Sequence, residues 1–227
     1  MGTLHPGRGP LRRTVRTALE RAASSAVHRT ERLVRRVGAI TAERPGGHRF
    51  GRLDGGTTLA WPQGTLFGER WISIGAYCVV AEQVTLTAGL APGDELDSED
   101  PILEIGDGCV IGRGSHLVGR TGIALGDHVY LGPGVYITDH NHTYTDTAAP
   151  IGTQWPVFAP VRIGAGSWLG ANAVVLPGTV LGRNTVVAAG CIVRGEFPDH
   201  AVLAGVPARM VRRYDPAEGW VPPLGNG

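Results

Sequence analysis

Residues Ile163 to Pro198 read IGAGSW LGANAV VLPGTV LGRNTV VAAGCI VRGEFP, six consecutive hexads with an aliphatic residue at every first position. Those residues are Ile163, Leu169, Val175, Leu181, Val187 and Val193; the second position is often Gly, and the fifth is small or β-branched. A fixed six-residue period points to a parallel β-helix. Three hexads make one triangular coil of about 18 residues, each hexad supplying a short strand and a corner. The aliphatic residue points inward and stacks on its counterpart one coil away, so neighbouring coils bury a continuous core that no single coil could bury. Glycine at the second position is expected to suit a tight corner, because it reaches unusual φ/ψ at low cost. Upstream the same pattern recurs at Ile74, Val80 and Leu86, at Ile105, Ile111 and Leu117, and at Leu125, Leu131 and Ile137, which brings the total to fifteen hexads.

Together with the tail Leu203-Ala204-Gly205-Val206-Pro207-Ala208-Arg209, these repeats resemble the hexapeptide-repeat acyltransferases over roughly residues 70 to 213. The tail is similar to the segment that follows the last coil in sugar and polysaccharide O-acetyltransferases. The resemblance implies an all-β fold, a left-handed parallel β-helix, and it alone supplies the handedness. It also implies acetyl-CoA as acyl donor, no metal, and a homotrimer with the site between adjacent β-helices.

The 227 residues suffice for one sizeable core, or one domain plus an appendage. Net charge is +1, but residues 1 to 44 carry ten Arg against three Glu, so that segment is +7 and the remainder −6. No aromatics interleave with the arginines, which sets nucleic-acid binding aside. Cys78, Cys109 and Cys191 all fall at the fifth hexad position, where free Cys behaves as a small hydrophobe. An odd count at equivalent buried positions argues against a disulfide framework and for a reducing compartment. No transmembrane helix or signal peptide is expected.

Residues 1 to 10 are expected to form a mobile terminus. From Leu11 to about Ile40 the pattern is an amphipathic helix between Arg clusters, ended by Pro45-Gly46-Gly47. It has two readings: a cap on the open end of the β-helix or on a neighbouring subunit, or a peripheral contact at the inner face of a membrane from a cytoplasmic enzyme. Residues 48 to 71 are expected to be irregular first turns. The domain bounds are therefore 1–47, 48–213 and a C-terminal tail 214–227. Two excursions interrupt the hexads. Residues 90 to 101 are acidic and expected to be a solvated loop; the second leaves after Ile137-Thr138-Asp139-His140-Asn141-His142 and returns at Ile163, carrying Trp155 and Phe158. Two extra residues near Gly122 also shift the phase before Leu125. Long excursions from a rigid solenoid usually carry function.

Transfer of an acyl group to a hydroxyl needs a base near the operating pH, and histidine fits with little tuning. In the similar sugar O-acetyltransferases the catalytic His sits at the sixth hexad position as the chain leaves the coil. A gapless register places His142 there, so His142 is the expected general base, with His140, the fourth residue of its hexad, as the alternative. His116, Trp168 and Trp155 are expected on the acceptor side. By the same register Ala171 and Ala189 would contact the pantetheine arm of acetyl-CoA, and Arg194 and Arg212 its phosphates. No Ser or Cys stands in a nucleophile arrangement, so direct transfer in a ternary complex is expected. Gly112 stands where galactoside enzymes would match an Asn, which turns the expected acceptor toward a glycan or glycolipid precursor. The alternatives are a non-catalytic sugar-binding or scaffold β-helix and a γ-class carbonic-anhydrase-like zinc enzyme; the latter needs three His from neighbouring coils at a spacing not found here.

Overall fold

From Arg52 to Val193 the chain climbs six coils, each contributing one short strand to each of three parallel sheets. In the fourth coil these strands are Ile123–Leu125, Tyr130–Leu131 and Tyr136–Thr138, on what we term the first, second and third faces. The hexad residues stack in rows, as the period requires. Ile105, Leu125, Ile163 and Leu181 align on the first face. Ile111, Leu131, Leu169 and Val187 align on the second, and Leu117, Ile137, Val175 and Val193 on the third. All are buried in one continuous core. This computed structural model describes residues 10 to 222. Of the terminus expected to be mobile, residues 1 to 10, all but Pro10 lie outside it, as do residues 223 to 227.

Two features of the hexad differ from the sequence expectation. The second-position glycines Gly132 and Gly170 have ordinary φ; what they lack is room. A Cβ on Gly132 would stand 2.7 Å from the Ala171 nitrogen, and one on Gly170 2.6 Å from that of Ala189, so glycine is required by the close approach of the next coil. The left-handed turn is made two residues later. Gly134, His128, Asn172 and Asn184, all fourth in their hexads, have φ between 52° and 70°.

The fifth position points inward and carries polar atoms that are satisfied. Ser115 and Ser167 donate to the carbonyls of Gly132 and Gly182 in the following coil, at 3.1 and 3.2 Å. The Cys78 and Cys109 thiols do the same toward Gly106 and Gly126 at 3.1 and 3.2 Å, so these cysteines act as weak donors as well as small hydrophobes. The adjacent Cys78 sulfur and burial hold the Cys109 thiol above its ordinary pKa, which keeps it protonated.

Residues 48 to 71 are the first coil, irregular in spacing as expected but paired strand by strand with the second. Leu53, Leu59 and Leu66 align with Ile74, Val80 and Leu86; the spacing from Leu59 to Leu66 and on to Ile74 exceeds the period, which hid the repeat. Antiparallel pairing closes both ends of the second face. Ile40–Thr41 pairs with Thr58–Leu59, while Ala201–Gly205, Ala208–Asp215 and Gly219–Val221 fold into successive hairpins. The β-unit therefore begins at Ala39, not residue 48, and its sheet runs to Val221, past residue 213. A separate helical unit, α1 (Pro10–Gly38), precedes it. Arg35 and Arg36 lie in its last turn, where cations complement the helix dipole.

Candidate active site

Both excursions leave the solenoid at the same corner, between the third face of one coil and the first face of the next. One joins Thr85–Ala88 to Leu103–Ile105, the other Tyr136–Thr138 to Val161–Ile163. Between them, in the third coil, the corner from Gly119 to Ile123 holds the two extra residues that shift the hexad phase.

That short insertion cradles a carboxylate. Asp139, fully buried, directs Oδ2 at the backbone N–H groups of Arg120, Thr121 and Gly122 (2.8, 2.6 and 2.7 Å) and accepts from the Thr121 hydroxyl at 3.1 Å. Three consecutive N–H groups around one oxygen form an anion nest. The other oxygen, Oδ1, lies 2.9 Å from Nδ1 of His140. Burial alone would push the Asp139 carboxyl up, but the bonds from His140 and from the three backbone N–H groups outweigh it and hold it below the usual carboxylate value. Asp139 is therefore ionised, and it fixes the His140 tautomer with the proton on Nδ1 and a lone pair on Nε2.

His140 occupies a fourth hexad position, where most hexads turn left-handed. Here the chain stays extended instead and leaves the solenoid. His140 and Asn141 pair antiparallel with Phe158 and Val157, making the stem of a hairpin. The Thr138 hydroxyl donates to the His140 carbonyl at 3.2 Å, and Phe158 lies against the imidazole with ring centroids 6.0 Å apart. The hairpin is ordered by its own bonds: the Thr143 hydroxyl donates to the Trp155 carbonyl, and the Gln154 side chain bridges Asp146 and Ala149.

His140 and His142 share a cleft of about 310 Å³, lined further by Leu90 from the first excursion and by residues 152 to 156 from the second. The two histidines differ in support. The coil ends at Thr138, so the sixth-position register that favoured His142 stops before reaching it, and His142 stands exposed on the hairpin stem with no hydrogen-bond partner among the described residues. Trp155, expected on the acceptor side, lines the cleft and meets Phe158 edge-on at 6.3 Å, yet is 70% exposed.

The remaining candidates lie elsewhere on the same chain. His116 projects from the third face beside Tyr136, ring centroids 6.1 Å apart, and does not line the cleft. Trp168 projects from the second face in a row with Tyr130 and Val186. Ala171 and Ala189 are stacked corners between the second and third faces; Arg194 follows the last third-face strand, and Arg212 sits in the C-terminal hairpin opposite Val202. No group of three His, Cys, Asp or Glu among the described residues could hold a metal ion. Sequence reasoning missed Asp139. The signal was present in its position directly before His140 and in the insertion one coil earlier.

Two family models match the chain: bacterial transferase hexapeptide (six repeats) over residues 160–195, and hexapeptide repeat of succinyl-transferase over residues 102–139. Both matched segments lie within the coils, and there the chain is similar to hexapeptide-repeat transferases. Among its relatives, a probable acetyltransferase of Mycobacterium tuberculosis is 37% identical over 110 residues, 48% of this chain and 37% of that one. A galactoside O-acetyltransferase of Lactococcus lactis is 35% identical, over 45% of this chain and 48% of that one. The WbbJ protein of Escherichia coli, whose name assigns it to O-acetyl transfer in lipopolysaccharide biosynthesis, is 36% identical over 44% of this chain and 55% of that one. The chain thus spans about half the length of the curated relatives it matches, or less. Its fold is that of a hexapeptide-repeat acetyltransferase of Vibrio cholerae (TM-score 0.53, 23% identity, 78% of this chain and 82% of that one). It is also that of the Bacillus cereus N-acyltransferase AntD bound to dTDP and coenzyme A (TM-score 0.57, 16% identity, 79% and 92%). Those likenesses establish the left-handed β-helix.

Proposed function

We propose that this protein transfers an acetyl group from acetyl-CoA to a hydroxyl of a sugar, glycan or glycolipid precursor, with His140 as general base. The observation that carries the proposal is the Asp139–His140 pair: a buried, ionised carboxylate holding an imidazole whose second nitrogen serves a cleft between two excursions. In this mechanism Nε2 of His140 takes the acceptor's hydroxyl proton as the oxygen attacks the acetyl carbonyl. Asp139 stabilises the resulting imidazolium, and the tetrahedral intermediate collapses with coenzyme A leaving as the thiol after the imidazolium returns the proton. His142 borders the cleft and contacts the acceptor rather than the proton in flight. The names of the relatives, with galactoside and lipopolysaccharide O-acetyl transfer among them, support acetyl-CoA as donor and a carbohydrate as acceptor. A donor made in the cytoplasm puts the reaction in the cytoplasm.

A single chain leaves the candidate residues apart, since Trp168 and the corners at Ala171 and Ala189 are on different edges from His140. We therefore place the complete site between subunits of a homotrimer, where the coenzyme A contacts at Ala171, Ala189, Arg194 and Arg212 of one copy face the excursion of another. Large apolar side chains exposed on the excursion, Tyr144, Ile151, Trp155 and Val157, supply surface for a neighbouring copy to cover, as do Tyr130 and Trp168 on the second face.

The test is release of free thiol from acetyl-CoA in the presence of neutral sugars, lipid-linked glycans and amino sugars. Thiol release that requires a hydroxylated carbohydrate is the expected result. Turnover confined to amines, or to acceptors with no sugar, overturns the acceptor assignment, and failure to bind acetyl-CoA favours the scaffold alternative.

A further inference from the structure

We propose that α1 is a docking helix for an anionic lipid surface. It carries eight Arg against two Glu, a formal +6, while the rest of the chain is net negative. Both carboxylates are already engaged within the helix: Glu20 by Arg16 at 2.8 Å and Glu31 by Arg35 at 3.1 Å. These pairs leave the formal charge of the helix at +6, which complements an anionic surface. At about 100° per residue, Leu19, Ala22, Ala26, Leu33 and Val37 fall within roughly 60° of one another. Leu19, Leu33 and Val37 in this stripe are 61–69% exposed. Arg16 and Arg29 flank the stripe on its two sides, and Arg21 and Arg32 lie on the far face.

A second copy of the helix is the poorer occupant of this stripe. The alternating three- and four-residue seam that a helical bundle needs can run Leu19, Ala23, Ala26, Thr30, Leu33 and Val37, but Ala23, Ala26 and Thr30 are small or polar and give a partner helix little apolar surface to bury. Assembly would also stack one +6 helix on another. A lipid interface accepts the same pattern: the apolar stripe enters the boundary between headgroups and acyl chains, and the flanking arginines extend their stems along it and keep their heads at the phosphates. No described helix is long and apolar enough to cross a membrane, so this one lies on the surface. The inference is independent of the acetyl-transfer proposal.

The experiment is co-sedimentation of the full chain with phosphatidylcholine vesicles and with equimolar phosphatidylcholine–phosphatidylserine vesicles. Binding to the anionic vesicles alone, weakened by salt, is expected. Arg16→Gln with Arg29→Gln lowers the partition by about tenfold or more, and Leu19→Glu with Leu33→Glu abolishes it. Ser24→Gln, on the face away from the stripe, binds like wild type, and an unchanged melting transition shows that the variants still fold. The proposal is overturned by equal binding to neutral vesicles, by no binding, or by loss of binding in Ser24→Gln. Concentration-dependent self-association that Leu19→Glu dissolves, without vesicle binding, overturns it in favour of a second copy.

Discussion

Asp139 spends its two oxygens in opposite directions, one on three backbone donors of the preceding corner and one on the imidazole. Asparagine has nearly the same shape but must present an NH₂ either to the donor nest or to Nδ1–H, so one set of donors is left facing a donor. Asp139→Asn is expected to cost about 1–3 kcal/mol of stability, the penalty for unsatisfied buried donors. It should also cost on the order of 10²-fold or more in turnover, because the imidazole loses its orienting anion. Because the folded pKa of Asp139 lies below the unfolded value of about 3.9, its contribution is complete above that pH and fades as pH falls through the folded value. Denaturant melts of wild type and Asp139→Asn should therefore differ at neutral pH and converge below about pH 4. Equal stability at pH 7 would contradict the nest. At this scale the sequence was legible where the period is strict: first positions are aliphatic and fifth positions small because both point into the core. Asp139 was hidden because the hexad register runs on past Ile137 on paper, while the backbone leaves the coil at Thr138.

The second excursion is a hairpin with a paired stem, so its tip can be removed without unravelling the coils that carry it. Replacing residues 143–156 by a short turn should leave the melting midpoint within a few degrees of wild type, since none of those residues belongs to the buried core. The same replacement should abolish acceptor turnover, because Trp155 and much of the cleft go with it. A calorimetric scan beside a thiol-release assay reads both, and full activity in the shortened chain would remove the excursion from the mechanism. The excursion's limits were plain in the sequence, since the hexads stop and restart around it. The first coil was not, because Leu59 to Leu66 breaks the period while the strands still align. Helix α1 was visible from its 3.6-residue stripe, although Leu11 and Val15 lie outside the residues whose side chains are described.

Across the whole molecule, His140 and Trp168 occupy different edges of one solenoid, a separation that a periodic sequence cannot display because every coil repeats the same three faces. If adjacent copies complete the site, chains carrying His140→Ala and chains carrying Trp168→Ala, each impaired alone, should regain part of the wild-type rate when refolded together. Such mixed trimers contain interfaces with an intact residue from each side. No recovery on mixing would return the whole site to one chain. The most direct test of the account is acetyl-CoA turnover, with one accepted sugar, by wild type, His140→Ala and His142→Ala side by side. A loss of about 10²- to 10⁴-fold in His140→Ala, with His142→Ala retaining most of the activity, is the predicted result. Collapse of His142→Ala with His140→Ala left near wild type would contradict the assignment of the base to the buried Asp139–His140 pair.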